Sequence, residues 1–247
     1  MTSAQIGLLA LVPGAYLAGS IPFGLIVGLS KGVDPRKAGS GNIGATNVGR
    51  LLGGKFFALV FALDLLKGLL PTLAAGAILY FSARHSALGS TSLSAGSTQI
   101  SASSVEPHSA LEFSLWLLVG FATIVGHMFS IFLGFKGGKG VATSTGVILG
   151  VFPYYTMATI GVLVTWGIVF KLTRYVSLAS MCGAVAFTVT YIVLGLILKW
   201  DIFGSQLPLL GFAVLVVSMI LFKHRGNVAR LRAGTEHRVG KKDRTPG

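Results

Sequence analysis

Acidic residues are scarce in this chain. Asp and Glu together number 7 in 247 residues, against 20 Lys and Arg. Charged residues of both signs make up 11%, where a soluble domain carries about 25%. So few charges cannot give a globule of this size a polar skin, whereas a lipid-facing surface needs none. Cysteine is nearly missing too. Cys182 stands alone inside an apolar run, which excludes an intramolecular disulfide and a multi-cysteine metal site. No Lys or Arg precedes Lys31, so the opening apolar run lacks the basic flank of a cleaved signal peptide. It is also too long for a typical signal core. The apolar runs do not alternate in hydropathy, which excludes a membrane barrel built of strands of about ten residues.

What is present is hydrophobic: 53% of residues, with a mean hydropathy of +0.78. Apolar segments cover about 5–30, 52–82, 111–134, 141–152, 154–170, 176–198 and 207–222. Several approach the roughly 20 residues that cross a bilayer as helix, and helix is the form that satisfies its own backbone in lipid. The reading is an all-α, polytopic membrane protein of one domain, 1–247. The polar breaks are Lys31 to Arg50, a Ser-rich stretch at 82–110 with little bulky apolar mass, Gly134 to Gly140, and a basic tail from Lys223. The formal charge of +13 fits cations gathered on one side of a membrane better than nucleic-acid binding.

Cations also orient the chain. One long helix over 141–171 would put the basic tail outside. A break at Pro153, where proline removes a helix hydrogen bond, returns Lys171, Arg174 and the tail to the inside. Arg84 and Lys199 then lie outside and Lys67 within the membrane, leaving 17 of the 20 cations cytoplasmic, as the positive-inside rule favours. The expectation is seven spans, N-terminus outside, C-terminus cytoplasmic, and the Ser-rich loop extracytoplasmic. The fourth span is short: 12 residues rise roughly 18 Å against a core of about 30 Å.

This arrangement brings three unusual segments to one face: SGNIGATNVGR from Ser40 to Arg50, FKGGKGVAT from Phe135 to Thr143, and HRGNVARLRAGTE from His224 to Glu236. Glycines let backbone amides approach a ligand, and successive amides form anion-binding nests. Lys139 precedes an apolar helix whose N-terminus favours anions, and Arg and Lys supply charge for phosphate. Each loop alone is equally well read as a solvated connector; three on one face is harder to read so. The second loop is no P-loop, because three residues rather than four separate Gly134 from Gly138 and Gly140 follows Lys139. No His has Asp five positions on, so a His-x4-Asp acyltransferase signature is missing.

In order and wording the three strings resemble the motifs of the acyl-phosphate:glycerol-3-phosphate acyltransferase family, integral membrane enzymes of bacterial phospholipid synthesis. The resemblance covers most of the chain. Three departures fall at Ile43, where a proline is frequent, in the longer Ser-rich segment 86–109, and in the extended tail after Glu236. The resemblance implies seven spans with all three motifs at the cytoplasmic face of the plasma (inner) membrane. It implies acyl transfer from acyl phosphate to the 1-hydroxyl of glycerol 3-phosphate, with no cofactor or metal, in contact with membrane lipid. The enzyme that forms the acyl phosphate is a candidate partner.

Both substrates carry phosphate, so the site needs two anion holes, and the acyl chain can lie among apolar helices. The nucleophile is the substrate's own alcohol. Ser40, Arg50, Lys139, His224 and Asn227 are the candidate catalytic residues. Gly41, Asn42, Gly44, Thr46, Asn47, Lys136, Gly137, Gly138, Gly140, Thr143 and Arg225 are candidate phosphate contacts. His224, with an ordinary pKa near neutrality, can take the alcohol proton; alternatively the donor's own phosphate takes it. Asn227 is expected to orient substrate or His224, and Glu236 to pair with an Arg of the tail. Asp64 and Lys67 lie i, i+3 on the second span and can pair as a strut; His127 is read as a hydrogen-bonded packing residue. The rival class is a transporter of an anion or phosphate ester, which should show inverted repeats around a midplane site. No repeat is evident.

Overall fold

The computed structural model describes residues 1–89 and 108–240. Among them the structure is helical, with no strand. The elements are α1 (Ser3–Ser20), α2 (Phe23–Ser30), α3 (Ala45–Leu52), α4 (Gly54–Gly89), α5 (Ala110–Met128), a 3-10 turn (Ile131–Leu133), α6 (Val141–Gly150), α7 (Tyr154–Thr173), α8 (Val176–Ile197), α9 (Leu207–Lys223) and α10 (Arg225–Arg232).

Among the described residues, five helical stretches are long and apolar enough to cross a membrane: Ser3–Ser30, Gly54–His85, Ala110–Leu133, Tyr154–Thr173 and Val176–Ile197. A sixth arises if α9 and α10, bent by 52° at their junction, count together. The remaining apolar helix, α6, has 10 residues and rises about 15 Å, half of a hydrocarbon core.

Several boundaries differ from the sequence reading. The first apolar segment is not one helix, because it breaks at Ile21–Pro22, between α1 and α2. Proline has no N–H to continue the ladder. Helix α4 runs on to Gly89, so the turns expected to open the Ser-rich loop at 82 are helical. The rest of that loop, 90–107, and the tail residues 241–247 lie outside the described residues. Two polar stretches hold helices of their own, α3 and α10. The break near Pro153 is present: α6 ends at Gly150 and α7 begins at Tyr154.

Small residues let the helices touch. A side chain at Gly19 of α1 would collide with the Thr123 carbonyl of α5, and one at Gly126 of α5 with the Tyr16 carbonyl of α1. Gly68 of α4 and Gly146 of α6 meet the carbonyls of Thr143 and Leu65 in the same way. Lipid gives apolar helices no reason to associate, so close backbone packing supplies the attraction. A second anchor is aromatic. Tyr155, fully buried, donates its hydroxyl to the Leu209 carbonyl and packs edge-on against Phe187 and Tyr191.

The chain returns several times to one end of the bundle. Lys139, just before α6, donates to Asn227 of α10 at 2.6 Å. The carbonyl of Arg174, just after α7, accepts from Val239 N–H at 3.0 Å. Helices α6 and α7 therefore leave and rejoin the same end, which brings all three motif segments there.

Candidate active site

The first motif loop is built around one amide. Asn47 on α3 is 2% exposed. Its Nδ2 donates to the carbonyls of Pro35 (2.9 Å), Ala38 (3.1 Å) and Asn42 (2.8 Å), and its Oδ1 accepts from Ser40 N–H at 2.9 Å. Asn42 Oδ1 accepts from Gly44 N–H at 2.8 Å, an Asx turn that leads into α3. Gly39 turns the loop at φ +61, and a side chain there would strike Asn47 Oδ1. On the far face of α3, Ala45 and Val48 pack on Val60 of α4. Burying that face leaves Thr46 and Arg50, four residues apart and so on one side, to line the central cavity.

The second motif loop is pressed onto the end of α5. Gly137 N–H donates to the Met128 carbonyl at 3.2 Å and Gly138 N–H to the His127 carbonyl at 3.0 Å. Gly140 has φ +81 and a side chain there would strike Met128 Cε. Lys139 alone of these residues throws a long side chain inward. Burial pulls its ammonium down to about 8, partly offset by the charge of Glu236.

In the third motif the chain bends at His224. This residue is 2% exposed, with Nδ1 2.8 Å from the Ile220 carbonyl. A carbonyl only accepts, so Nδ1 carries the proton and the neutral ring offers Nε2 as an acceptor. Burial lowers the imidazole pKa to about 4, and Lys139 adds to the effect. Asn227 links two charged groups: its Oδ1 accepts a hydrogen bond from Lys139 and its Nδ2 donates to Glu236 Oε1 at 2.6 Å. Glu236 also accepts from Ser177 Oγ at 2.7 Å and from Arg230 Nε at 2.8 Å. Burial would raise this carboxyl, but the hydrogen bonds from Ser177, Asn227 and Arg230 outweigh it and hold it below its ordinary value.

These segments enclose one cavity of about 1240 Å³. Ser40, Thr46, Arg50, Lys139, His224, Asn227 and Arg230 line its polar end. Its apolar reach runs between helices past Ile148, Val162, Trp166, Phe187, Val216 and Ile220. A space with cations at one end and apolar walls at the other suits an anionic head with an acyl tail.

The glycerol-3-phosphate acyltransferase family model matches residues 9–234. The chain is 37% identical to the glycerol-3-phosphate acyltransferase of Chlorobium limicola, covering 95% of this chain and 97% of that one. It is 39% identical to that of Aquifex aeolicus, covering 93% and 98%. The crystal structure of PlsY (YgiH), an integral membrane glycerol 3-phosphate acyltransferase, in its glycerol 3-phosphate form, superposes with a TM-score of 0.72 at 37% identity, covering 95% of this chain and 96% of that one. Its lysophosphatidic acid form gives 0.70 at 36% identity. The chain belongs to the glycerol-3-phosphate acyltransferase family.

Within this acyltransferase the structure divides the expected site residues. Ser40, Asn42, Gly44, Thr46, Asn47, Arg50, Lys139, Gly140, His224, Asn227 and Glu236 all line the cavity. Lys136, Gly137, Gly138, Thr143, Arg225 and Gly41 lie outside its lining. The amides of Gly137 and Gly138 are spent on α5, and Lys136 is exposed outside the cavity. Thr143 is buried against Gly68 of α4. Arg225 lies over the Phe222 ring, 4.4 Å from its centroid. Gly41, at φ +69, makes a turn. Asn47 borders the cavity, but each of its polar atoms is already bonded within the loop. Asn227 binds Lys139 and Glu236 rather than the His224 ring.

Asp64 and Lys67 do pair, at 2.7 Å, and Lys67 Nζ also donates to the Ile21 carbonyl at 2.8 Å. Asp64 and His127 border the cavity as well as bracing it. Arg230, Ser177 and Arg238 line it too, none of them a candidate on sequence grounds. Arg230 stands inside the third motif, six residues before the Glu236 that it binds. Ser177 opens α8 with no motif around it.

Proposed function

We propose that the protein transfers an acyl group from acyl phosphate to the 1-hydroxyl of sn-glycerol 3-phosphate, releasing 1-acyl-glycerol 3-phosphate (lysophosphatidic acid) and phosphate, the first acylation of bacterial phospholipid synthesis. The observation that carries this reading is the convergence of three separate motif segments on one cavity, cationic at one end and apolar at the other. PlsY, a solved relative, has glycerol 3-phosphate and lysophosphatidic acid forms. Arg50, Lys139 and Arg230 supply charge for phosphate groups, and the amide and hydroxyl groups of Ser40 and Thr46 add donors. The alcohol oxygen attacks the acyl carbonyl, the carbonyl-to-phosphate C–O bond breaks, and phosphate leaves with the electron pair. Catalysis here is positioning plus stabilisation of charge on the leaving phosphate and the carbonyl oxygen.

The alcohol's proton passes to the donor's phosphate. An imidazole held at about 4 is a weak base at neutral pH, and proton transfer is most effective when the catalytic pKa lies near the working pH. His224 then binds substrate, with Nε2 accepting a hydrogen bond from a glycerol hydroxyl.

The same reading places the protein in the bacterial inner membrane with seven crossings (α1 with α2, then α4 to α9), the N-terminus outside and the cavity cytoplasmic. Its support is the positive-inside rule, which this orientation satisfies with 17 of the 20 cations of the sequence assigned to the cytoplasm. In a Cys182→Ala background, a cysteine at Lys199 should label from outside and one at Lys171 from inside. The reverse pattern would invert the topology.

Purified protein given acyl phosphate and labelled glycerol 3-phosphate should form lysophosphatidic acid, with inorganic phosphate competing against the donor. Robust turnover with acyl-CoA alone would refute the donor assignment.

A further inference from the structure

We propose that His127 is a positioning residue for Lys139: its carbonyl and ring hold the Gly137–Gly138 backbone so that the next side chain reaches into the cavity, with Asp64 bracing the ring. This rests on the reading of Lys139 as a phosphate contact.

His127 lies in the last turn of α5 and is 5% exposed. Its carbonyl is free of the helix ladder there, since α5 stops one residue later, and it accepts Gly138 N–H at 3.0 Å. The ring fills the space that a side chain at position 138 would need: a Cβ on Gly138 would overlap Nε2. Gly138 is not among the positive-φ glycines. Its backbone therefore permits any residue, and only the His127 ring demands glycine. Behind the ring stands the Asp64 carboxylate, in packing contact with it rather than hydrogen-bonded to it. Nδ1 is 3.6 Å from Asp64 Oδ1, and Asp64 is itself held by Lys67, which reaches the Ile21 carbonyl at the break between α1 and α2.

The neighbouring carbonyl extends the same gauge to the third motif. Met128 accepts from Gly137 N–H and also from Lys223 Nζ at 3.0 Å, one residue before His224. The end of α5 thus sets the second motif against the third, and the Lys139–Asn227 contact at 2.6 Å spans the gap it defines. A strut that only joined helices would have no need to touch the loop backbone one residue from the cavity's lysine.

Two mutant cycles on the full chain, purified in detergent and assayed with acyl phosphate and glycerol 3-phosphate, test this. Gly138→Ala should lower kcat/KM by up to about 10²-fold, the cost of a displacement near 1 Å, chiefly through KM for a phosphate substrate. In a His127→Ser background the added methyl has room, so Gly138→Ala should cost less than about threefold more. In a Lys139→Ala background, His127→Ser should likewise cost less than about threefold more, because the group it positions is gone. Multiplicative losses in either cycle would overturn the inference while leaving the role of Lys139 intact. Wild-type activity in Lys139→Ala would sink both readings. Should His127→Ser fail to fold, His127→Asn keeps a polar group beside Asp64 and serves in both cycles.

Discussion

The first and second motif loops share a composition, glycine with polar residues and a cation, and use it in opposite ways. In the first loop the polar side chains do the building: Asn47 holds three carbonyls and one amide, and the loop presents Ser40, Thr46 and Arg50 to the cavity. In the second the glycines do the building, by lying flat on the end of α5, and of residues Gly134 to Gly140 only Lys139 and Gly140 border the cavity. A glycine-rich segment next to a cation-lined cavity is therefore not always a nest of amides aimed at a ligand. The partners of the amides decide, and here α5 holds two of them.

The largest effect should come from the side chain that builds the first loop. Asn47→Ala leaves carbonyls and an amide without their partner, at about 1–3 kcal/mol for each buried orphan. The detergent-solubilised thermal midpoint should fall along with activity. Loss of activity at an unchanged midpoint would mean that Asn47 meets substrate after all, and the contrast between the loops would collapse.

Next come the two cations the loops present. Arg50→Ala and Lys139→Ala should each raise KM for a phosphate substrate by roughly 10- to 100-fold, the worth of a charge-assisted hydrogen bond. A pure kcat defect in either would show that the charge acts only in the transition state.

The pH profile separates the loops further. Burial disfavours the Lys139 cation, so the free enzyme loses this proton as pH rises through about 8, and kcat/KM should fall there. Lys139→Arg should remove that limb, since guanidinium stays charged. His224 is neutral at any pH above about 4 and should add no limb in the range of roughly pH 5 to 8 where an ordinary imidazole titrates. A limb near neutrality that disappears in His224→Ala would return the proton transfer to the imidazole.

The smallest effects should come from Lys136→Ala and Arg225→Ala. Both cations lie outside the cavity, and exposed charges are screened within about 10 Å at ordinary salt. Each should change kcat/KM by no more than about twofold. A tenfold rise in KM from Lys136→Ala would show that the second loop reaches substrate with more than Lys139.

Much of the fold is legible in the sequence. The spans follow from apolar runs, because lipid demands long uncharged helices, and the break ahead of Tyr154 follows from Pro153. Pro22 carries the same physics, yet it lies inside a run of continuous hydropathy, so the break between α1 and α2 is hidden from hydropathy. The α3 and α10 helices are hidden for the opposite reason. Both are short and polar and are held by tertiary contacts, Val48 against α4 and Asn227 in the Lys139–Glu236 network.

By itself, the sequence determined that the chain is a helical membrane protein and singled out three separated strings as the candidate site. Hydropathy, charge and motif wording are properties of local residues. Which motif residues face the cavity was decided only by the tertiary structure. Side-chain direction and the partner of each amide depend on what packs behind them: the His127 ring behind Gly138, Gly68 behind Thr143, and a ring of carbonyls around Asn47. Burial, likewise a property of the whole bundle, moved His224 away from neutrality and Lys139 towards it.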